Sequence, residues 1–201
     1  PIPGGGARLY RPPGGRRPVA SSARGRQTPA PAGKTGPPEH RYRTAQVLAL
    51  FASVFVALAV GESVRTSASW DEPIHLTAGY EALTRQDFRI DPSHPPLVRM
   101  LAAVPVLWAG PAAVDTRVID AARPVNWLGD AYRFAHQFMY VANDADHMLA
   151  AARTVVTLLG LLLGVLVFFW AREWLGPLPA VAALTMFSLE PNLMAHSSLI
   201  T

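Results

Sequence analysis

Long apolar runs and polar stretches alternate along the chain. Residues 45–60, AQVLALFASVFVALAV, are uninterrupted apolar or small residues. With their flanks they approach the roughly 20 residues needed to cross a hydrocarbon layer, which predicts a first span over about 45–63. Residues 154–171, TVVTLLGLLLGVLVFFWA, predict a second span, over about 149–171 once the preceding turn is included. A short turn at Arg172–Gly176 leads into a third, over about 177–198. The fold class that follows is an all-α polytopic membrane protein. It is a transmembrane helix bundle with a large first extracytoplasmic loop, about 64–148, carrying short interfacial helices.

Within that loop Pro73 marks a helix start, because proline suits the first turn, where N–H groups have no intrahelical partner. Leu76, Tyr80 and Leu83 then share one face at i, i+4, i+7 spacing. After Pro95-Pro96 comes LVRMLAAVPVLWAGPAAV, an apolar segment interrupted by Pro105, Gly110 and Pro111. It is too short and too broken to span, and predicts a helix lying in the interface or re-entering it. Gly160 and Gly164 form a GxxxG that would permit close helix packing. Chance occurrence in an apolar run is the plainer explanation.

Charge adds orientation. Residues 1–43 hold nine basic residues against the single acid Glu39, whereas 61–147 hold seven Arg and eleven Asp/Glu. The Pro/Gly-rich basic segment 1–43 cannot bury a core and is expected to be a disordered tail. It has almost no aromatic residues to stack on bases, so a nucleic-acid partner is set aside in favour of the lipid bilayer. Excess Lys/Arg beside a first span places that tail in the cytoplasm. The acidic loop then lies outside, and residues from Glu190 onward return to the same outer face. A cleaved signal peptide is the rival reading of 45–60, but some 40 polar residues precede it, so a retained helix is expected. The absence of Cys excludes disulfides and thiolate metal sites. The 201 residues do not begin with Met and are read as the N-terminal part of a longer protein, a piece expected to be inactive alone.

Candidate chemistry clusters in two places. Asp71 and Glu72 stand where Pro73 starts a helix, and the helix dipole favours negative charge there. An ionised carboxylate can act as general base or as metal ligand. His75 lies on the same face, at i+4 from Asp71 and i+3 from Glu72. An ordinary N-cap explains Asp71 equally well. In His94-Pro95-Pro96-Leu97 the prolines hold His94 near Arg99 and Arg89, where a phosphate would be bound. A rigid turn with solvated charges is the alternative. Arg153 opens the second span and either serves this site or snorkels to the interface. Glu190 and His196, near the end of the third span, are further candidates or merely solvated groups. No P-loop, GxGxxG, HExxH or GxSxG motif occurs. This disfavours ATP-driven transport, soluble dinucleotide chemistry, zincin proteolysis and a nucleophile-elbow hydrolase.

Taken in order, these residues carry a resemblance. After a first membrane helix come Asp71-Glu72, Gly79-Tyr80, Asp91-Pro92, His94-Pro95-Pro96-Leu97 and Pro105. Then follow Trp127-x-x-Asp130, Arg153, and Pro191-Asn192-x-x-Ala195-His196. Residues 42–201 thereby resemble the membrane glycosyltransferases that use phospholipid-carried sugars. Their best-known members are the dolichyl-phosphate-mannose protein mannosyltransferases and, more distantly, the lipid A aminoarabinose transferases.

The resemblance implies an inverting transfer of a sugar from a polyprenyl-phosphate donor to a protein, lipid or glycan hydroxyl. Asp71 would be the base and Glu72 its paired acid. His94 falls where some relatives carry a phosphate-binding Lys, with Arg99 or Arg153 supplying further positive charge. A further acidic residue would follow the third span, beyond Thr201. No cofactor is required, and a divalent metal on Asp71, Glu72 and His75 is left open. The setting expected is a bacterial plasma membrane with the active site extracytoplasmic. The competing reading is a non-enzymatic polytopic membrane protein, part of a transporter or channel, whose acidic loop binds ions or a partner. A transporter places its charged residues near the midplane, whereas Asp71 and Glu72 lie outside the spans.

Overall fold

The structure, a computed structural model, describes residues 38–108, 110, 114–121 and 124–200, with side chains from position 43 and without that of Trp127. The basic segment before Pro38 and the Pro111–Ala113 part of the broken apolar segment lie outside the described residues. The described residues are all-helical. In chain order the helices are α1 (Pro38–Ser63), α2 (Glu72–Arg85), α3 (Leu97–Trp108), α4 (Arg117–Ala121), α5 (Tyr132–His136), α6 (Ala145–Leu175), α7 (Pro177–Leu189) and α8 (Pro191–His196). Two π-helical turns, Trp127–Ala131 and Gln137–Val141, extend α5 on both sides.

Two helices are long and apolar enough to cross a membrane, the Arg43–Ser63 part of α1 and the whole of α6. At 1.5 Å per residue the 31 residues of α6 reach about 46 Å. The two run antiparallel and touch at both ends. Arg153 of α6 donates to the Ser63 carbonyl closing α1, and Arg172 donates to Thr44 Oγ1 near its start. Between these ends Phe51 and Phe55 pack with Phe187 of α7 and with Phe168. Gly160 and Gly164 leave room for neighbouring side chains. A Cβ on Gly160 would collide with Ser197, and one on Gly164 with Phe51. The GxxxG is therefore a packing device, not a chance pair.

The continuous helix expected over 177–198 is instead two helices. Glu190 leaves helical geometry (φ −79°, ψ 115°) and caps α8, whose first residue is Pro191. At 13 residues α7 falls short of the roughly 20 that a span needs. The segment nonetheless returns along most of α6, to the level of Arg153, since Ile200 and Arg153 both reach Glu72.

The loop between the long helices is itself packed. Leu76 and Tyr80 of α2 meet Ala102, Ala103 and Val106 of α3, and Met148, Leu149, Ala152 and Val156 of α6, with Leu83 against them. This is the face expected from the i, i+4, i+7 spacing. The opposite side of α2, Ile74 and Ala78, packs on Ile119 and Phe134. Gly79 marks the α2–α3 crossing, where a Cβ would run into the Arg99 carbonyl. Pro105 does not break α3, which continues through it to Trp108.

Candidate functional site

Asp71 and Glu72 have opposite surroundings. Glu72 is fully buried. Its Oε1 accepts from Arg153 Nε at 2.9 Å and from the Ile200 amide at 3.0 Å. Its Oε2 accepts from Arg153 Nη2 at 2.6 Å and from the Ser69 amide at 2.9 Å. Arg153 spends its remaining N–H groups on the carbonyls of Ser63, Thr66 and Ser67, at 2.8, 2.9 and 3.1 Å. All five donors of the guanidinium are thus engaged. Arg153, a candidate for a donor phosphate, is the clamp that fixes the 63–69 turn against α2. Glu72 is its counter-charge, with no lone pair left for a substrate.

Asp71 is the N-cap of α2 by position but makes no capping hydrogen bond. Its Oδ1 accepts from Ser69 Oγ at 2.9 Å, and its Oδ2 lies 3.5 Å from His75 Nε2. The side chain is 39 % exposed, so this carboxylate, unlike Glu72, faces outward. Beside it opens a cleft of about 280 Å³ lined by Ala68, Ser69, Trp70, Pro73, Tyr132, His136 and Tyr140. Trp70 stacks on Tyr132 at 4.9 Å, and His136 packs against Tyr140 at 5.4 Å. Burial raises the Tyr140 phenol above its ordinary 10.0, helped by the charge of Glu72, so it remains a donor at neutral pH.

Behind Asp71 a second polar cluster is centred on buried Asp91. His75 Nδ1 lies 3.0 Å from Asp91 Oδ2, and His94 Nδ1 lies 2.8 Å from Oδ1. Arg99 donates from Nη1 to Oδ2 at 2.5 Å and from Nη2 to the Asp91 carbonyl at 2.7 Å. Burial alone would raise the Asp91 carboxyl. The His94 hydrogen bond and the Arg99 charge outweigh it and hold the group below its ordinary 3.8. Arg99 is 4 % exposed and committed to Asp91, so it too is not an open phosphate binder. His94 is 54 % exposed and remains available.

Glu190 caps α8 through the Leu193 amide, with Asn192 Nδ2 at 3.0 Å from its other oxygen, and His196 is exposed at the end of that helix. Neither lines the cleft. The metal set Asp71, Glu72 and His75 is not assembled, since Glu72 is held by Arg153. Among the described residues, His75, Asp91 and His94 bring their ligand atoms within 4.8 Å of one another, close enough to hold an ion.

Sequence reasoning met Asp91 only within the Asp91-Pro92 motif and gave it no role, and it assigned none to Trp70 or to the cleft residues of the α5 region. Tyr132, His136 and Tyr140 recur every four residues, a legible signal for one helical face. The π-helical turns on either side of α5 keep that face toward Trp70; such turns are frequent at functional sites. Comparison of the chain with protein-family models, with curated proteins and with solved structures finds no match.

Proposed function

We propose that this chain belongs to an inverting membrane glycosyltransferase, with Asp71 as the base toward the acceptor hydroxyl and a polyprenyl-phosphate sugar as donor. The observation that carries this reading is the placement of Asp71. It is a partly exposed carboxylate without a capping hydrogen bond, between Trp70 and Pro73 of an aromatic-lined cleft in the chain that follows the first membrane-length helix. A sugar ring has apolar faces that stack on aromatic side chains and hydroxyls that need polar partners. Trp70, Tyr132, Tyr140 and His136 offer both. The cleft lies near the lower end of the roughly 300–1,000 Å³ range of ligand sites, suited to a single sugar unit.

The chain is read as multi-pass, with α1, α6 and the α7–α8 segment crossing the bilayer and the tail cytoplasmic. Only 17 % and 28 % of the apolar windows of α1 and α6 are buried, where the core helix of a soluble protein would be mostly covered. Leu97, Val98 and Leu101 of α3 and Val141 add exposed apolar surface, suited to a donor with a lipid tail. Leaving-group phosphate requires positive charge, and Arg133 and His136 are exposed, as is His94, whose Nδ1 is engaged with Asp91 and whose remaining nitrogen alone could serve. Glu72 and Arg153 act indirectly, by holding the turn that presents Trp70 and Asp71.

The test uses the full-length protein in lipid vesicles with polyprenyl-phosphate-linked mannose and aminoarabinose and a mixed set of hydroxyl acceptors. Release of free polyprenyl phosphate, dependent on acceptor, supports the reading. No release with either donor, from protein whose folding is verified, overturns it.

A further inference from the structure

We propose that His75 Nδ1, His94 Nδ1 and the Asp91 carboxylate form a binding site for a divalent transition-metal ion of the zinc class. One ligand atom from each residue lies within 4.8 Å of the others. The two imidazole rings meet edge to face, 4.9 Å between centroids, so both Nδ1 edges converge on one carboxylate. The three residues come from different pieces of structure: His75 from α2, Asp91 and His94 from the turn stiffened by Pro92, Pro95 and Pro96.

A neutral imidazole has one N–H and one lone pair. His75 stands between two carboxylates, with Asp91 at its Nδ1 and Asp71 at its Nε2. Whichever nitrogen carries the proton, the other turns a lone pair toward a negative oxygen. A cation at Nδ1 removes the conflict, leaving Nε2–H to point at Asp71. An imidazole that binds metal through one nitrogen and a carboxylate through the other is a recurrent arrangement, as is a ligating carboxylate anchored by a further donor. Arg99 provides that anchor for Asp91. A second proton on His75 would also resolve the conflict. It would not explain why half-exposed His94, free to face water, brings a second Nδ1 to the same buried carboxylate.

Two nitrogens and a carboxylate favour zinc, cobalt, nickel or copper over magnesium or calcium, which take oxygen ligands. The exposure of His94 leaves the ion a solvent-facing position. That is the pattern of a site with three protein ligands and an open coordination place.

The experiment treats the full-length protein with chelator and titrates it with Co(II), followed by visible d–d absorption and then displacement by Zn(II). One equivalent with intense bands of low coordination number is expected. His94→Ala, at a half-exposed position, weakens binding beyond the roughly 10–100-fold typical of an outer-shell change, and Asp71→Asn weakens it within that range. His136→Ala leaves it unchanged. Absence of these bands, or unaltered binding in folded His94→Ala, overturns the site and leaves a hydrogen-bonded cluster. Metal binding is read without sugar transfer, so failure of this site and failure of the proposed activity are distinguishable.

Discussion

Adjacent in sequence, Asp71 and Glu72 divide the work of holding and of facing outward. Removing the guanidinium from Arg153 leaves Glu72 a buried, unpaired charge, which typically costs 3–5 kcal/mol, an order-of-magnitude figure. Arg153→Met is therefore expected to lower the unfolding free energy by about that much, and Arg153→Lys to recover only part of it, because an ammonium cannot reproduce five planar donors. Denaturant unfolding in detergent checks both. A different carboxylate answers to pH. Glu81 is fully buried, with Oε1 lacking a partner and Oε2 held by Arg85 at 3.2 Å. Burial raises its carboxyl above the ordinary 4.5, and Arg85 only partly offsets this. The folded state then holds that proton more tightly than the unfolded chain. The contribution of Glu81 to stability is complete below 4.5 and is lost as pH rises through the higher folded value. Glu81→Gln is expected to be more stable than the parent at neutral pH, with the gap closing as pH falls toward 4.5; a gap independent of pH would contradict this. Asp71 was legible at this scale because a proline follows the acidic pair. The fate of Glu72 was not, because its partner lies 81 residues away.

Helices meet where side chains vanish. The Gly79 contact is with backbone, so no rotamer change can relieve an added methyl. Gly79→Ala is expected to destabilise by about 1–3 kcal/mol, the usual cost of overpacking. Gly61, inside α1 with nothing near its missing Cβ, behaves oppositely: Gly61→Ala is expected to gain about 0.5–1 kcal/mol. Paired thermal unfolding of the two variants checks the contrast. The apolar runs made α1 and α6 readable directly, and the Leu76, Tyr80 and Leu83 spacing gave the buried face of α2. Length and periodicity could not reveal that the 177–198 stretch divides at Glu190. That break comes from a carboxylate capping the next helix before a proline. Nor could local pattern tell a chance GxxxG from one into which Phe51 and Ser197 fit, since those contacts depend on distant chain segments.

At the scale of the whole molecule, the long helices carry exposed apolar surface. Leu50, Leu162, Leu166, Trp170, Leu178 and Met186 are each at least 60 % exposed. Surface of this kind marks a lipid or protein contact. The chain contains no cysteine, so single-cysteine variants report topology cleanly. Arg65→Cys, beyond the end of α1, and Glu173→Cys, near the end of α6, are expected to react with an impermeant maleimide from opposite faces of sealed vesicles. Labelling of both from one face would contradict a spanning α6. The measurement closest to the central claim is sugar transfer by full-length Asp71→Asn in lipid vesicles, beside the parent protein and with unfolding temperature followed in both. Loss of a general base lowers the rate by about 10²–10⁴-fold, and the account predicts a loss of that size with the fold intact. Transfer at the parent rate by the folded variant would contradict it.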